Sequence, residues 1–185
     1  MEFGEKTVRK RTIFDGQLIR LEQHEVETQA GNLAEREVIR HQPAVAIVAF
    51  NDEGKIAMVR QYRKAIERAI LEIPAGLIEP NEDWLFAAKR EFEEETTYSA
   101  NHWEKLVGFY VSPGYLDEYL MLYLAMDLEK VADPRPQDQD EHLELEWLTL
   151  AECEDAMARE EICDAKTIWA VEYMRRRQLE DEQRE

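Results

Sequence analysis

The sequence predicts a mixed α/β layered domain with a small antiparallel sheet ahead of it, and three observations carry that expectation. Short alternating or continuous apolar runs fill the chain up to Ile73 and resume after residue 105. Between them, residues 83–96 switch to the helical period, with Leu85, Ala88 and Phe92 on one stripe. Two further helical stretches close the chain. Strands, a central helix and then helices that must bury a face describe layers packed around one core.

Taken in order, residues 7–41 alternate moderately and carry turn signals at Asp15-Gly16 and Gly31-Asn32. They predict antiparallel strands over 8–14, 17–28 and 35–41. Residues 44–50 are a continuous apolar run, as expected of a strand buried on both faces. Asn51-Asp52-Glu53-Gly54 is a turn, and 55–62 returns as its hairpin partner. A short strand over 69–73 is stopped by Pro74 and Gly76. After the central helix, strands are expected over 106–111, 119–126 and 142–148, then helices over 150–160 and 164–179. The chain therefore divides into an N-terminal part, 1–42, and a main domain, 43–185.

A chain of 185 residues buries roughly 70% of its unfolded surface, so it needs neither disulfide nor structural metal to fold. Its longest apolar runs fall far short of the ~20 residues that span a bilayer, and the first residues lack a secretory layout. Cys153 and Cys163 show no metal-ligand spacing and read as free thiols of a reducing cytoplasm. The net charge of −18, from 41 acidic against 23 basic residues, disfavours nucleic acid as a partner. It does not exclude a small anionic substrate, because bound divalent cations invert the local field.

The informative stretch runs from Gly76 through Glu82 to Arg90-Glu91-Phe92-Glu93-Glu94-Glu95. On a helix Glu91, Glu94 and Glu95 fall at i, i+3 and i+4 and share a face, where like charges repel by a few tenths of a kcal/mol per pair. A hard divalent cation removes that repulsion and uses the carboxylates as oxygen ligands. Arg90 can reach Glu94 at i+4 and orient it. A merely solvated acidic face is the plain alternative. Gly76 and Glu82 at their fixed distances upstream weigh against it.

These residues resemble the Nudix box, G-x5-E-x7-R-E-U-x-E-E-x-G-U with U a bulky apolar residue. Gly76, Glu82, Arg90, Glu91, Phe92, Glu94 and Glu95 match, and Tyr98 takes the final U place. Thr97 stands where the pattern has glycine, and a β-branched residue tolerates the positive φ of that exit poorly, so a reshaped exit loop is expected. Beyond the box, Val59-Arg-Gln-Tyr-Arg63, Leu71-Glu-Ile-Pro-Ala-Gly-Leu-Ile-Glu79, Ser112-Pro-Gly-Tyr-Leu-Asp-Glu118 and Asp164-Ala-Lys-Thr167 are similar to the ADP-ribose pyrophosphatase branch. Pro113 sits at the spacing beyond the box where that branch has a proline.

The resemblance implies an α+β fold of the Nudix type, an α/β/α sandwich whose mixed central sheet has flanking helices. It implies Mg²⁺-dependent hydrolysis of the diphosphate of ADP-ribose, giving AMP and ribose 5-phosphate. Alternatives are hydrolysis of another nucleoside diphosphate sugar such as GDP-mannose, or a catalytically inactive module that senses ADP-ribose. Two or three Mg²⁺ ions, or Mn²⁺, would be held by Glu91, Glu95, Glu94 and the Ala75 carbonyl. Glu141, with Asp140 and Asp138 as alternatives, would bind metal or act as general base beside Glu94. Arg63 would meet the diphosphate or terminal ribose and Leu77 would line the cleft. Ser112, Pro113, Gly114 and Glu118 would shape the far side of the pocket. The N-terminal strands of this branch exchange across a homodimer and supply part of the nucleotide site, with Arg36, Glu37 and His41 in the matching segment. His41 stands where an arginine is common.

Overall fold

Strand and helix boundaries follow from where the apolar pattern changes period. The computed structural model describes residues 3–137 and 142–183. In chain order the elements are β1 (Lys6–Asp15), β2 (Ile19–Glu27), β3 (Leu33–His41), β4 (Ala44–Ala49), β5 (Ile56–Arg63), β6 (Arg68–Glu72), β7 (Ala75–Leu77), α1 (Trp84–Thr96), β8 (Tyr98–Tyr110), β9 (Tyr119–Lys130), β10 (Glu144–Leu148), α2 (Leu150–Ala158) and α3 (Ala165–Glu182). Among the described residues the strands form three sheets, ordered β1-β2-β3, β10-β5-β6 and β7-β4-β9-β8. This is the α+β architecture expected from the sequence, small N-terminal antiparallel sheet included.

The chain resolves into two compact units. The first comprises Met1–Ala44 and Gly108–Leu120, and the second comprises Val45–Val107 and Met121–Glu185. In the first, β2 is the central strand, paired antiparallel with β1 and β3. Every residue of β1 is exposed. Buried Glu22 on β2 gathers Lys10 at 3.1 Å, Arg20 at 3.2 Å, Arg40 at 3.0 Å and His24 at 3.0 Å. Burial works against this carboxylate's charge, but the hydrogen bonds from His24, Arg40 and Lys10 outweigh it and hold the pKa at about 2.

In the second unit the continuous apolar strand is central, as its composition requires. Val45 to Ala49 are completely buried, β4 lies between β7 and β9, and Leu122 and Leu124 of β9 are equally buried. β5 pairs antiparallel with β6 and β10, and its first residues Ile56, Ala57 and Met58 are inaccessible to solvent. Backbone hydrogen bonds from Ile47 to the Pro74 carbonyl (2.8 Å) and from Leu71 to the Glu161 carbonyl (2.8 Å) tie these layers together.

α1 begins where Asp83 accepts hydrogen bonds from the Leu85 and Phe86 amides at 3.0 and 3.1 Å, satisfying first-turn donors that lack helical partners. Ala87, Ala88 and Phe92 anchor it in the core, and Phe92 meets the Trp103 ring edge-on at 6.0 Å. Leu85, expected among the anchors, is only half-buried. Burying Phe92 contributes roughly 2–3 kcal/mol. α2 opens on a capping box between Thr149 and Glu152.

Two strand expectations need correction. β8 starts at Tyr98 rather than near residue 106, because Asn101, His102, Glu104 and Lys105 interrupt the apolar pattern. As the last strand in its sheet, β8 leaves those four residues exposed, so it needs little apolar character there. β7, three residues long, is too short to show a period. The exit from α1 is not reshaped either. Thr97 adopts the left-handed conformation itself (φ 66°, ψ 16°), and its amide donates to the Glu93 carbonyl at 2.8 Å. Thr96 supports the turn by accepting from the Tyr98 amide at 3.1 Å, and the Thr97 carbonyl accepts from Val131 at 3.0 Å.

Candidate active site

Arg90 organises the acidic face of α1. Its Nε and Nη2 donate to Glu82 at 2.8 and 2.9 Å, Nη1 donates to Glu91 at 2.8 Å and Glu94 at 3.0 Å, and Nη2 also donates to the Leu77 carbonyl at 3.0 Å. All five guanidinium N–H groups are thereby used. This fixes both the helix and the segment that precedes it. The Arg90 side chain is 14% exposed, and its bond to Glu82 stabilises the guanidinium charge beyond the usual range. The same bond, aided by the Glu79 amide, holds the Glu82 carboxyl below its ordinary pKa.

The other carboxylates turn toward β7. Glu95 is 5% exposed, and its Oε2 accepts from the Ala75 amide at 3.2 Å. The Glu91 carboxylate lies directly over Gly76. A Cβ built there would fall 1.9 Å from Glu91 Cδ and 2.1 and 2.2 Å from its oxygens. Glycine is needed at position 76 for close approach of a charged group to the backbone.

Sequence therefore brings Ala75, Leu77, Glu91, Glu94 and Glu95 into one place, joined through Arg90 and the β7 backbone. Among the described residues no three His, Cys, Asp or Glu side chains gather closely enough to hold a metal as they stand. The donor chemistry still fits a hard cation. The donors are all oxygens, and Glu82, Glu91, Glu94 and Glu95 together outweigh the single charge of Arg90.

Arg63, at the end of β5, binds Glu72 of β6 in a two-pronged pair, Nε at 2.6 Å and Nη2 at 2.9 Å. Lys166 of α3 also donates to Glu72, and to Asp164 at 2.9 Å. Burial would raise the Glu72 pKa, but Arg63 and Lys166 hold it below the ordinary value. The Arg63 charge is favoured first by Glu72 and further by the fields of Glu95 and Asp164. Sequence reasoning missed the role of Glu72. Its signal was present, since a lone acid inside Ile70-Leu71-Glu72-Ile73 must find buried partners.

The remaining expected residues belong to the first unit. Arg36 on β3 is exposed and paired with Glu5 at 2.5 and 3.0 Å, and exposed Glu37 lies opposite Gln23 in the sheet. His41 ends β3, its amide donating to Asp117 at 2.9 Å and its ring 4.0 Å from Glu118. The Ser112 carbonyl accepts from Tyr115 and Leu116, which closes a turn through exposed Pro113 and Gly114. That turn is docked on β3 by Ile39 donating to the Tyr115 carbonyl (2.7 Å) and Asp117 donating to the Ile39 carbonyl (3.1 Å). Arg40, which sequence reasoning passed over, adds an ion pair to Asp117 at 2.9 Å. Glu141, Asp140 and Asp138 lie outside the described residues.

The fold and this carboxylate helix define a class, and the chain belongs to the NUDIX family, whose domain model matches residues 40–168. It is 43% identical over 170 residues to the ADP-ribose pyrophosphatase of Bacillus subtilis, covering 92% of each chain. It is also 43% identical over 172 residues to the methanol dehydrogenase activator of Bacillus methanolicus, covering 93% of each. A solved structure described as an ADP compounds hydrolase superposes with a TM-score of 0.85 over 98% of both chains, at 24% identity, and so shares the fold.

Proposed function

We propose that the protein hydrolyses the diphosphate of ADP-ribose with the help of divalent cations, releasing AMP and ribose 5-phosphate. The observation that carries this reading is the complete set of box carboxylates converging on Arg90 and the Ala75–Gly76 backbone. The name of the Bacillus subtilis relative supports the substrate.

Glu91 and Glu95, with Glu94 and the Ala75 carbonyl, would hold Mg²⁺ or Mn²⁺. Bound there, the ions supply charge neutralisation for the diphosphate and acidify the attacking water. The chain's own groups do the rest. Arg90 keeps Glu82, Glu91 and Glu94 in register at one face of α1, and a cation would draw the ligating carboxylates together from there. Arg63 draws an anionic oxygen of the diphosphate into line. A carboxylate, Glu94 or Glu141, accepts the water proton as the oxygen bonds to phosphorus and the bridging P–O bond breaks. His41, Ser112, Pro113, Gly114 and Glu118 contact the nucleotide or sugar, with Arg36 and Glu37 contributed through a homodimer. The free thiols Cys153 and Cys163 support a reducing, cytoplasmic setting.

The test is a panel of ADP-ribose, GDP-mannose, UDP-glucose, NADH and diadenosine polyphosphates with Mg²⁺, read by product release. ADP-ribose is expected to give the highest kcat/KM, and EDTA to abolish turnover reversibly. Preference for another compound overturns the substrate, and turnover that survives EDTA overturns the cation role. A second reading, activation of a methanol dehydrogenase, is favoured by the equal identity to the Bacillus methanolicus relative. Stimulation of methanol oxidation by a purified dehydrogenase tests it directly.

A further inference from the structure

Arg63 ends β5 with its side chain 42% exposed, yet its partner carboxylate on Glu72 is only 3% exposed. One edge of the guanidinium, Nε and Nη2, is taken by Glu72. Among the described residues, Nη1 makes no hydrogen bond. Glu72 is itself held from the other side, because Lys166 donates to its Oε2. Lys166 is braced by Asp164 Oδ1, and that same oxygen accepts from the Thr167 amide in the first turn of α3. Thr167 is completely buried and accepts from the Ile73 amide at 3.0 Å. The α3 start is thus bolted to Glu72 and to Ile73 beside it.

We propose that Glu72 is a positioning residue that holds Arg63 by its Nε–Nη2 edge, so that the Nη1 side is presented to an anionic oxygen of the substrate diphosphate. This rests on the reading of Arg63 as a diphosphate ligand given above. A two-pronged carboxylate fixes the guanidinium plane, which a long exposed side chain would otherwise lose to rotation. Glu72 and Asp164 together balance Arg63 and Lys166, so what the pairing fixes is direction: the guanidinium edge away from Glu72 keeps its N–H donors for an incoming anion. Burial of Glu72 keeps the pair in a medium that water screens weakly. Lys166 acts one step further back, by holding Glu72.

A double-mutant cycle tests the arrangement in the full chain with Mg²⁺ and ADP-ribose. Arg63→Ala is expected to lower kcat/KM roughly 100-fold. Glu72→Gln and Lys166→Met are each expected to lower it about tenfold, with most of the Glu72→Gln loss in KM. Combined with Arg63→Ala, each is expected to add less than about twofold, because it acts only through Arg63. Calorimetric binding of ADP-ribose in EDTA should repeat this pattern without turnover. Losses that multiply in the double variants overturn the proposal, as does an Arg63→Ala enzyme within about threefold of the parent. Should Glu72→Gln fail to fold, judged by circular dichroism and Tm, Lys166→Met in both backgrounds reads the same coupling. If the parent protein does not cleave ADP-ribose, the substrate reading fails by itself. The cycle is then run on whichever panel diphosphate is cleaved, or on binding of inorganic diphosphate, where additive losses again refute the positioning role.

Discussion

Two charge clusters in this molecule are built as opposites. In α1 and β7 one cation, Arg90, sits among Glu82, Glu91 and Glu94, with Glu95 close by on the Ala75 amide. In the N-terminal sheet one buried carboxylate, Glu22, sits among Lys10, Arg20, Arg40 and His24. The Glu22 anion is saturated: Arg40 is shared with Asp117, and the surplus cations Lys10 and Arg20 are about half exposed, where water solvates their charge. The α1 cluster retains surplus negative charge on oxygens held by the helix and an arginine. Excess of one sign on rigid groups is a demand for a ligand, whereas balance is a structural fastener.

Removing groups from the α1 cluster should sharpen that contrast most. Glu95→Gln and Glu91→Gln are each expected to lower kcat at least 100-fold with Tm unchanged or raised, because each deletes a repelled charge. Steady-state rates with saturating Mg²⁺ check this, and losses under about tenfold at both positions would place the cation elsewhere. Next in size is Gly76→Ala, whose added methyl must displace the Glu91 carboxylate. A loss of roughly 30-fold in activity with a Tm change of only about 2 °C is expected, since the displaced atoms are the end of a flexible side chain.

The Glu22 cluster should answer in stability instead. Glu22→Gln is expected to cost about 2 kcal/mol in urea unfolding while kcat with ADP-ribose stays within about twofold, because exposed Lys10 and Arg20 recover water and only part of the buried-pair penalty applies. Its folded pKa, about 2, lies below the reference value of 4.5. The stabilisation it provides is therefore complete above that reference value and is lost as pH falls from 4.5 toward 2. Melting curves at stepped pH should show a steeper acid decline for the parent than for Glu22→Gln. The smallest effect is at the helix exit. Thr97→Gly should raise stability by about 1 kcal/mol, read as a Tm gain of roughly 2–4 °C, by relieving a β-branched residue at φ 66°.

Legibility in the sequence followed the range of the interactions. The buried strand β4 and the helix α1 were readable because apolar continuity and the helical period are local signals. The half-exposed start of β8 was not, because an edge strand buries too little to leave a pattern. Glu91, Glu94 and Glu95 were readable because their spacing within one helix places them together. Glu72 was visible only as an anomaly in an apolar run, since its partners lie 9 residues upstream and 94 downstream.

By itself, the sequence determined the layered architecture, the acidic helix face and the family to which the chain belongs. Those depend on periodicity and on short-range spacing, which no later folding event can alter. Tertiary structure alone decided that Arg90 spends all five donors on the acidic cluster and the Leu77 carbonyl, that Glu91 rests over Gly76, and that Thr97 takes the conformation of the missing glycine. The last outcome shows the reason. A local preference of a kcal/mol or two yields when Thr96, Val131 and the Glu93 carbonyl all require the same backbone path.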